Sequence, residues 1–198
     1  MLRDLKARGL GAPKLTIADG RLGIWSAVAQ VWPESAEPRC WNHRMRNILD
    51  AVPDKAQPVV KVHLQRIANA ESRAAAERER RRSRTAYATR IPKAVERLEH
   101  DWERLVAYYA FPKEHGRHLR TTNVVESPFD AVRLRTSAAK RFKKVENATA
   151  LIWRLLLVVE PCFRKLNAPH LCADAYPGTA YRDGMRVVTQ PARDRAAA

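Results

Sequence analysis

The segment "KLTIADGRLGIW", residues 14–25, has the texture of a short buried strand that stops on an acidic residue and a glycine. Leu15 to Ala18 reads as the strand and Asp19-Gly20 as the turn. Leu22, Trp25, Val28, Ala29 and Trp32 then recur at spacings of three and four, which predicts an amphipathic helix stopped by Pro33. An Asp at the lip of a strand either caps the next helix or holds something charged. Just beyond, "PRCWN" (38–42) reads as a second short strand, and Met45, Ile48, Leu49 and Val52 restart a helical period. The β-α-β-α order implies a parallel strand pair joined by a crossover helix.

Farther out the texture changes. From Pro53 to about Pro112 the apolar positions Val59, Val62 and Ile67, then Ala74 to Ala76, then Val95, Leu98, Trp102, Leu105, Tyr108 and Tyr109 keep a helical period with no strand signal. Residues 53–112 therefore read as a helical insertion, too thin in apolar content to be a second core by itself. "HGRHLRTTNVVESPFDAVRLR" (115–135) is a loop entering a helix. "NATALIWRLLLVVEPCFRKLN" (147–167) is the most apolar helix of the chain, expected over 147–164 and packed on the sheet. The division is a β-α-β-α unit at 1–52, the insertion at 53–112, a return to the core at 113–172, and an irregular tail at 173–198.

The 198 residues carry 37 Lys plus Arg against 21 Asp plus Glu, a formal charge of +16. A domain this basic attracts polyanions, of which nucleic acid is the commonest in a cytoplasmic setting. "AVRLRTSAAKRFKK" (131–144) concentrates six basic residues, Arg133, Arg135, Lys140, Arg141, Lys143 and Lys144, with no acidic one, and is the candidate DNA-binding segment. "ERERRRSR" (77–84) alternates signs and reads first as a solvated helix face, second as a phosphate contact. No apolar run approaches the length of a membrane span, and the N-terminus lacks the apolar centre of a secretory signal, so a cytoplasmic protein with no membrane partner is expected. Cys40, Cys162 and Cys172 are odd in number and form no CxxC pair, which argues for reduced thiols.

Two acidic residues stand out. Thr121, Thr122 and Asn123 are candidate N-caps of a helix whose buried side is Val125, Phe129 and Val132. Glu126 lies off that stripe and Asp130 follows one turn on. Alone, Glu126 reads equally well as a first-turn acid complementing the helix dipole, and Asp19 as a turn former. Together, a strand-end Asp and a helix-start Glu can converge on one divalent metal. Cys40 and His43 form a CxxH pair, two ligands short of a zinc site. Trp41 reads as a core residue rather than a stacking platform, and His115 and His118 as loop residues with phosphate contact as the second reading.

The stretches "ADGRLGIW", "PRCWNHRMRNILD", "LRTTNVVE" and "RFKKVENATALIWRLL", in this order and spacing, resemble the C-terminal part of Mutator-type transposases of the bacterial insertion-sequence branch, over about residues 3–170. The resemblance implies an α/β, helix-rich chain: a partial ribonuclease-H-like fold with an all-helical insertion. It also implies an Asp, Asp, Glu triad working with two Mg²⁺ ions, with Mn²⁺ as a substitute, in DNA strand cleavage and strand transfer. By position Asp19 matches the second triad Asp and Glu126 the Glu that follows TTN, both as catalytic residues and metal ligands. The CxxH of Cys40 and His43 is also a family feature.

The triad's first Asp would lie on an opening strand upstream of Asp19, where only residues 1–18 stand, and Asp4 belongs to the wrong element. The expectation is an N-terminally truncated, catalytically incomplete transposase whose partners are DNA (element ends and target) and a second copy or a full-length transposase. Alternatives are a non-catalytic DNA-binding remnant that modulates full-length transposase and an unrelated basic RNA-binding protein.

Overall fold

The computed structural model describes residues 1–20 and 22–188, with the backbone alone at Leu22. The Leu22 side chain and residues 189–198 of the expected tail lie outside the described residues. The strand-turn-helix reading around Asp19 takes shape as a minimal parallel pair. The Thr16 N–H donates to Ala36 O at 2.8 Å, the Ala36 N–H to Lys14 O at 3.1 Å and the Cys40 N–H to Ala18 O at 2.9 Å. Parallel bridges join Leu15 to Ala36 and Ala18 to Arg39. The second extended segment thus begins before residue 38 and ends sooner than expected, because helix α3 (Trp41–Leu49) already starts at Trp41.

Helix α2 (Leu22–Val31) makes the crossover and buries Trp25, Val28 and Val31, with Trp32 just past its end; Ala29 faces out. A short helix α1 (Leu2–Ala7) lies on α2, where the Lys6 ammonium donates to Val31 O at 3.0 Å.

One hydrophobic cluster runs across the expected boundary at residue 53. Trp41 and Ile48 of α3 pack with Val60, Leu64, Ile67 and Ala68 of α4 (Gln57–Ala68), Ala76 of α5 (Arg73–Tyr87), Ala94 and Leu98 of α6 (Pro92–His100) and Trp102, Leu105 and Val106 of α7 (Trp102–Val106). The helices of 53–112 thus share one core with α3 of the preceding unit. Small residues and large aromatics achieve it: Ala76 lets α5 approach closely, and Trp102, Tyr108 and Tyr109 fill the space between helices. Val59 and Val62 face solvent while Val60 and Leu64 take the inner side.

In the sign-alternating run, Arg80 pairs with Glu77 at 2.8 Å and Glu99 at 3.0 Å and lies over the Trp102 ring, the behaviour of a helix face tied to its neighbours. One buried ionic cluster joins the layers. Asp101, fully buried, pairs with Arg39 of the second extended segment and, at 3.0 Å, with Arg44 of α3.

The C-terminal half departs further from expectation. Helices α9 (Asn123–Thr136) and α10 (Val145–Val159) form a hairpin in which α10 packs on α9, and no residue of α10 is buried. The sequence placed this helix against a sheet; a pair of bridged segments offers no face wide enough to cover it. Val125 and Phe129 are likewise exposed, leaving Val132 as the buried residue of α9.

The tail is less irregular than expected, with a short helix α11 (Cys172–Ala175) and an antiparallel hairpin of β1 (Tyr181–Arg182) and β2 (Met185–Arg186). Its turn is Asp183-Gly184, both at positive φ, a turn signal that the reading of this segment passed over. The described chain is thus helix-rich, with one two-stranded sheet.

Candidate active site

Asp19 stands at the end of the first extended segment, one residue after Ala18, whose carbonyl accepts the Cys40 N–H. Gly20 follows with φ +90°, and a Cβ there would overlap the Arg39 guanidinium, so glycine serves both the turn and the close approach. The same Arg39 pairs with buried Asp101, which fixes the second segment beside the Asp19 turn.

On the other side, the Trp41 N–H donates to Arg120 O at 2.8 Å and the Asn42 side chain donates to Asn123 Oδ1 at 3.0 Å. These bonds dock the start of α3 onto α8 (Gly116–Leu119) and the first residue of α9.

Cys40 is the centre of this junction and is fully buried. Its sulfur accepts from the Thr122 N–H at 3.3 Å, and Thr122 Oγ1 and His43 Nδ1 also lie 3.3 Å from it. Thr122 occupies the N-cap position of α9, but its hydroxyl makes no cap bond; it donates to the Glu126 carboxylate one turn on. A hydroxyl has one proton and two acceptor sites. With that proton committed to the carboxylate, the stronger acceptor, Oγ1 is free to accept from the thiol or the imidazole. His43 Nδ1 completes the set at 3.4 Å from Thr122 Oγ1 and 3.8 Å from Glu126 Oε1.

The structure therefore ties Asp19 and Glu126 to a common neighbour, Cys40: the first through the Ala18 carbonyl, the second through Thr122. Each of the two offers carboxylate oxygens, the ligand type that suits Mg²⁺, while among the described residues no group of three or more His, Cys, Asp or Glu is gathered for a metal. The Cys40 sulfur is enclosed and accepts the Thr122 N–H, so its place here is within the hydrogen-bonded junction.

The expected DNA-binding residues Arg133, Arg135, Lys140, Arg141, Lys143 and Lys144 are all exposed, from the second half of α9 into the loop before α10, and among the described residues only Arg133 is paired, with Asp130 at 3.4 Å. Trp41 is a core residue, its Nε1–H donating to Leu105 O at 2.8 Å.

Thr122 and Asp101 are contributions that sequence reasoning missed. The first carried only a capping signal, and the second lay unmarked among helix charges.

Residues 1–162 match the family described as "Transposase, Mutator family". The chain belongs to the Mutator family of transposases. Among its relatives is the transposase of insertion sequence element IS6120 from Mycolicibacterium smegmatis, 38% identical over 96% of this chain and 59% of the relative. The transposase of element IST2 from Acidithiobacillus ferrooxidans is 40% identical over 93% of this chain and 63% of the relative. More distant is the transposase of element ISRM5 from Rhizobium meliloti, 28% identical over 82% of this chain and 41% of the relative. The transposase chain thus spans about three fifths of the length of its first two relatives. No helix among its described residues is long and apolar enough to cross a membrane.

Proposed function

We propose that this transposase chain binds DNA and contributes Asp19 and Glu126 to a two-metal site for the phosphoryl transfer that cleaves and joins strands of an insertion element, a site that needs a further ligand beside these two. The observation that carries the proposal is that the backbone next to Asp19 and the Thr122 partner of Glu126 both bond to Cys40, inside a chain of the Mutator family. Bound Mg²⁺ or Mn²⁺ would activate the attacking hydroxyl and stabilise the leaving oxygen of the phosphodiester. The chain's own part is positioning. Gly20 turns the backbone beside Asp19, and Thr122 holds one oxygen of Glu126 so that the carboxylate is oriented before a metal arrives.

The parallel pair with its crossover helix is the piece of a ribonuclease-H-like core that we assign to this chain, with the helices of 53–112 as its insertion. The exposed apolar side of α10, including Trp153, Leu157 and Val158, supports assembly with a second transposase chain. Family membership argues against an unrelated RNA-binding protein.

Asp19 and Glu126 by themselves supply less negative charge than a pair of divalent ions requires, so DNA binding without strand joining is expected where no further ligand joins them. The same shortage favours, as the second reading, a non-catalytic DNA-binding chain that modulates full-length transposase. The test is an assay of the purified chain, with Mg²⁺ or Mn²⁺, on DNA carrying the terminal sequences of a family element, beside an Asp19→Ala control. DNA binding without joined product is the expected result. Robust cleavage that vanishes in the control would show that a further ligand completes the site, and absence of DNA binding would overturn the proposal.

A further inference from the structure

Beside the α3–α9 junction lies an open cavity of about 720 Å³ whose described lining contains no acidic residue. Lys61 of α4, Arg117 of α8 and Arg164 and Lys165 of the segment after α10 reach it from three sides, and none of the four makes an ion pair or side-chain hydrogen bond among the described residues. Arg120, also in the lining, is by contrast fixed, donating to Ala68 O at 2.7 Å and to Asn69 Oδ1 at 3.0 Å.

The segment that carries Arg164 and Lys165 is held in place: His115, buried, donates through Nε2 to Ala168 O at 3.1 Å, and the Asn167 N–H donates to His118 Nε2 at 3.2 Å. This gives both histidines a structural task.

The remaining polar lining is mostly amide. Gln65 and Asn167 offer neutral side-chain donors and acceptors, and Asn42 Oδ1 and the Asn123 amide N–H groups stay available beside the bond that joins these two residues, the chemistry that matches base edges, while Met45 and Val124 supply apolar wall.

We infer that this cavity receives an unpaired nucleotide of a DNA strand, its phosphates met by Lys61, Arg117, Arg164 and Lys165 and its base by the amides. A duplex is too wide to enter a space of this volume, whereas one splayed nucleotide fits. Asn123 both lines the cavity and stands one turn before Glu126, so a strand seated here passes the start of α9 and the carboxylate. The inference rests on the proposed DNA reaction and adds to it a requirement for single-stranded character next to the processed phosphate.

The test is fluorescence anisotropy of labelled oligonucleotides, single-stranded and duplex of the same sequence, with the full chain and a Lys61→Ala/Arg164→Ala/Lys165→Ala variant. All three side chains are exposed, so the fold should be unaffected, and an unchanged thermal midpoint checks this. The expected result is a loss of tenfold or more in single-strand affinity, with the log–log salt slope lowered by about two, roughly 0.7 for each lost phosphate contact, and less than a threefold change for duplex. Single-strand affinity equal to wild type, or equal losses for both DNA forms, would overturn the inference and leave the proposed function standing. A wild-type chain that binds neither DNA would bring down the proposed function with it.

Discussion

The sulfur of Cys40 lies 3.3 Å from both the backbone nitrogen and the hydroxyl oxygen of Thr122, eighty-two residues away in sequence. Through that pair the strand end of Asp19 is fastened to the helix start of Glu126. Removing the Thr122 hydroxyl should therefore loosen the carboxylate without unfolding the chain. Thr122→Val is expected to weaken Mn²⁺ binding by about tenfold, the usual scale for an outer-shell partner, and Thr122→Ser to restore it. Isothermal titration of the variants checks this. Equal affinity in Thr122→Val and wild type would show that Glu126 needs no such support.

The Asp101 cluster should be structural. Burial lowers the pKa of Arg44; Asp101 opposes the shift, while Arg39 and Arg97 add to it. Asp101→Asn would leave two guanidinium groups facing each other with little solvent, and a buried pair broken in this way typically costs about 3–5 kcal/mol. Urea denaturation measures the loss. A cost below about 1 kcal/mol would mean that water reaches the cluster.

Alkaline sensitivity should come from two adjacent tyrosines. Burial is the main cause that raises the pKa of both Tyr108 and Tyr109, whose hydroxyls donate to Ala68 O at 3.2 Å and Ala70 O at 2.8 Å. Each folded-state pKa is raised, so above the ordinary tyrosine value of about 10 the folded chain holds protons that the unfolded chain releases. Their contribution is full below that pH and is lost as pH rises past it, by up to about 1.4 kcal/mol per pH unit for each group. Urea midpoints should be flat from pH 7 to 9 and fall above 10. The fall should be shallower in Tyr108→Phe/Tyr109→Phe; an identical slope there would assign it to other groups.

We propose the exposed basic segment before α10 as a second, sequence-independent contact with DNA. Neutralising Lys140, Arg141, Lys143 and Lys144 together should weaken duplex binding and lower its salt slope by about one unit per lost phosphate contact. An unchanged slope would remove the segment from the footprint. Paired with the cavity variant, this measurement separates backbone attraction from nucleotide capture.

What the sequence disclosed, and what it concealed, follows from the range of the forces involved. The turn at Asp19-Gly20 and the crossover helix were legible because strand ends, glycine turns and helical period are local signals. The position of the core was not. Ala76 and Tyr109 stand in the helical period, but nothing local shows that they pack where helices distant in sequence meet.

Helix α10 was misplaced for the converse reason. Its apolar residues announce burial, but the covering surface must come from elsewhere, and among the described elements α9 covers it only in part. At the candidate site Asp19 and Glu126 were named from motif position, while Thr122 gave no sign of its task, because a bond between a hydroxyl and a distant thiol leaves no periodic trace.

The central claim is that Asp19 and Glu126 share one metal, and iron-directed backbone cleavage tests it most directly. The chain is loaded with Fe²⁺ in place of Mg²⁺, ascorbate and peroxide generate hydroxyl radicals at the bound ion, and the cut sites are mapped by mass spectrometry. Cuts clustered near residue 19 and near residue 126, both suppressed by excess Mg²⁺ and both lost in either Asp19→Ala or Glu126→Ala, are the expected result. Cuts at only one of the two segments, or cuts at one that survive substitution of the other, would contradict a shared site.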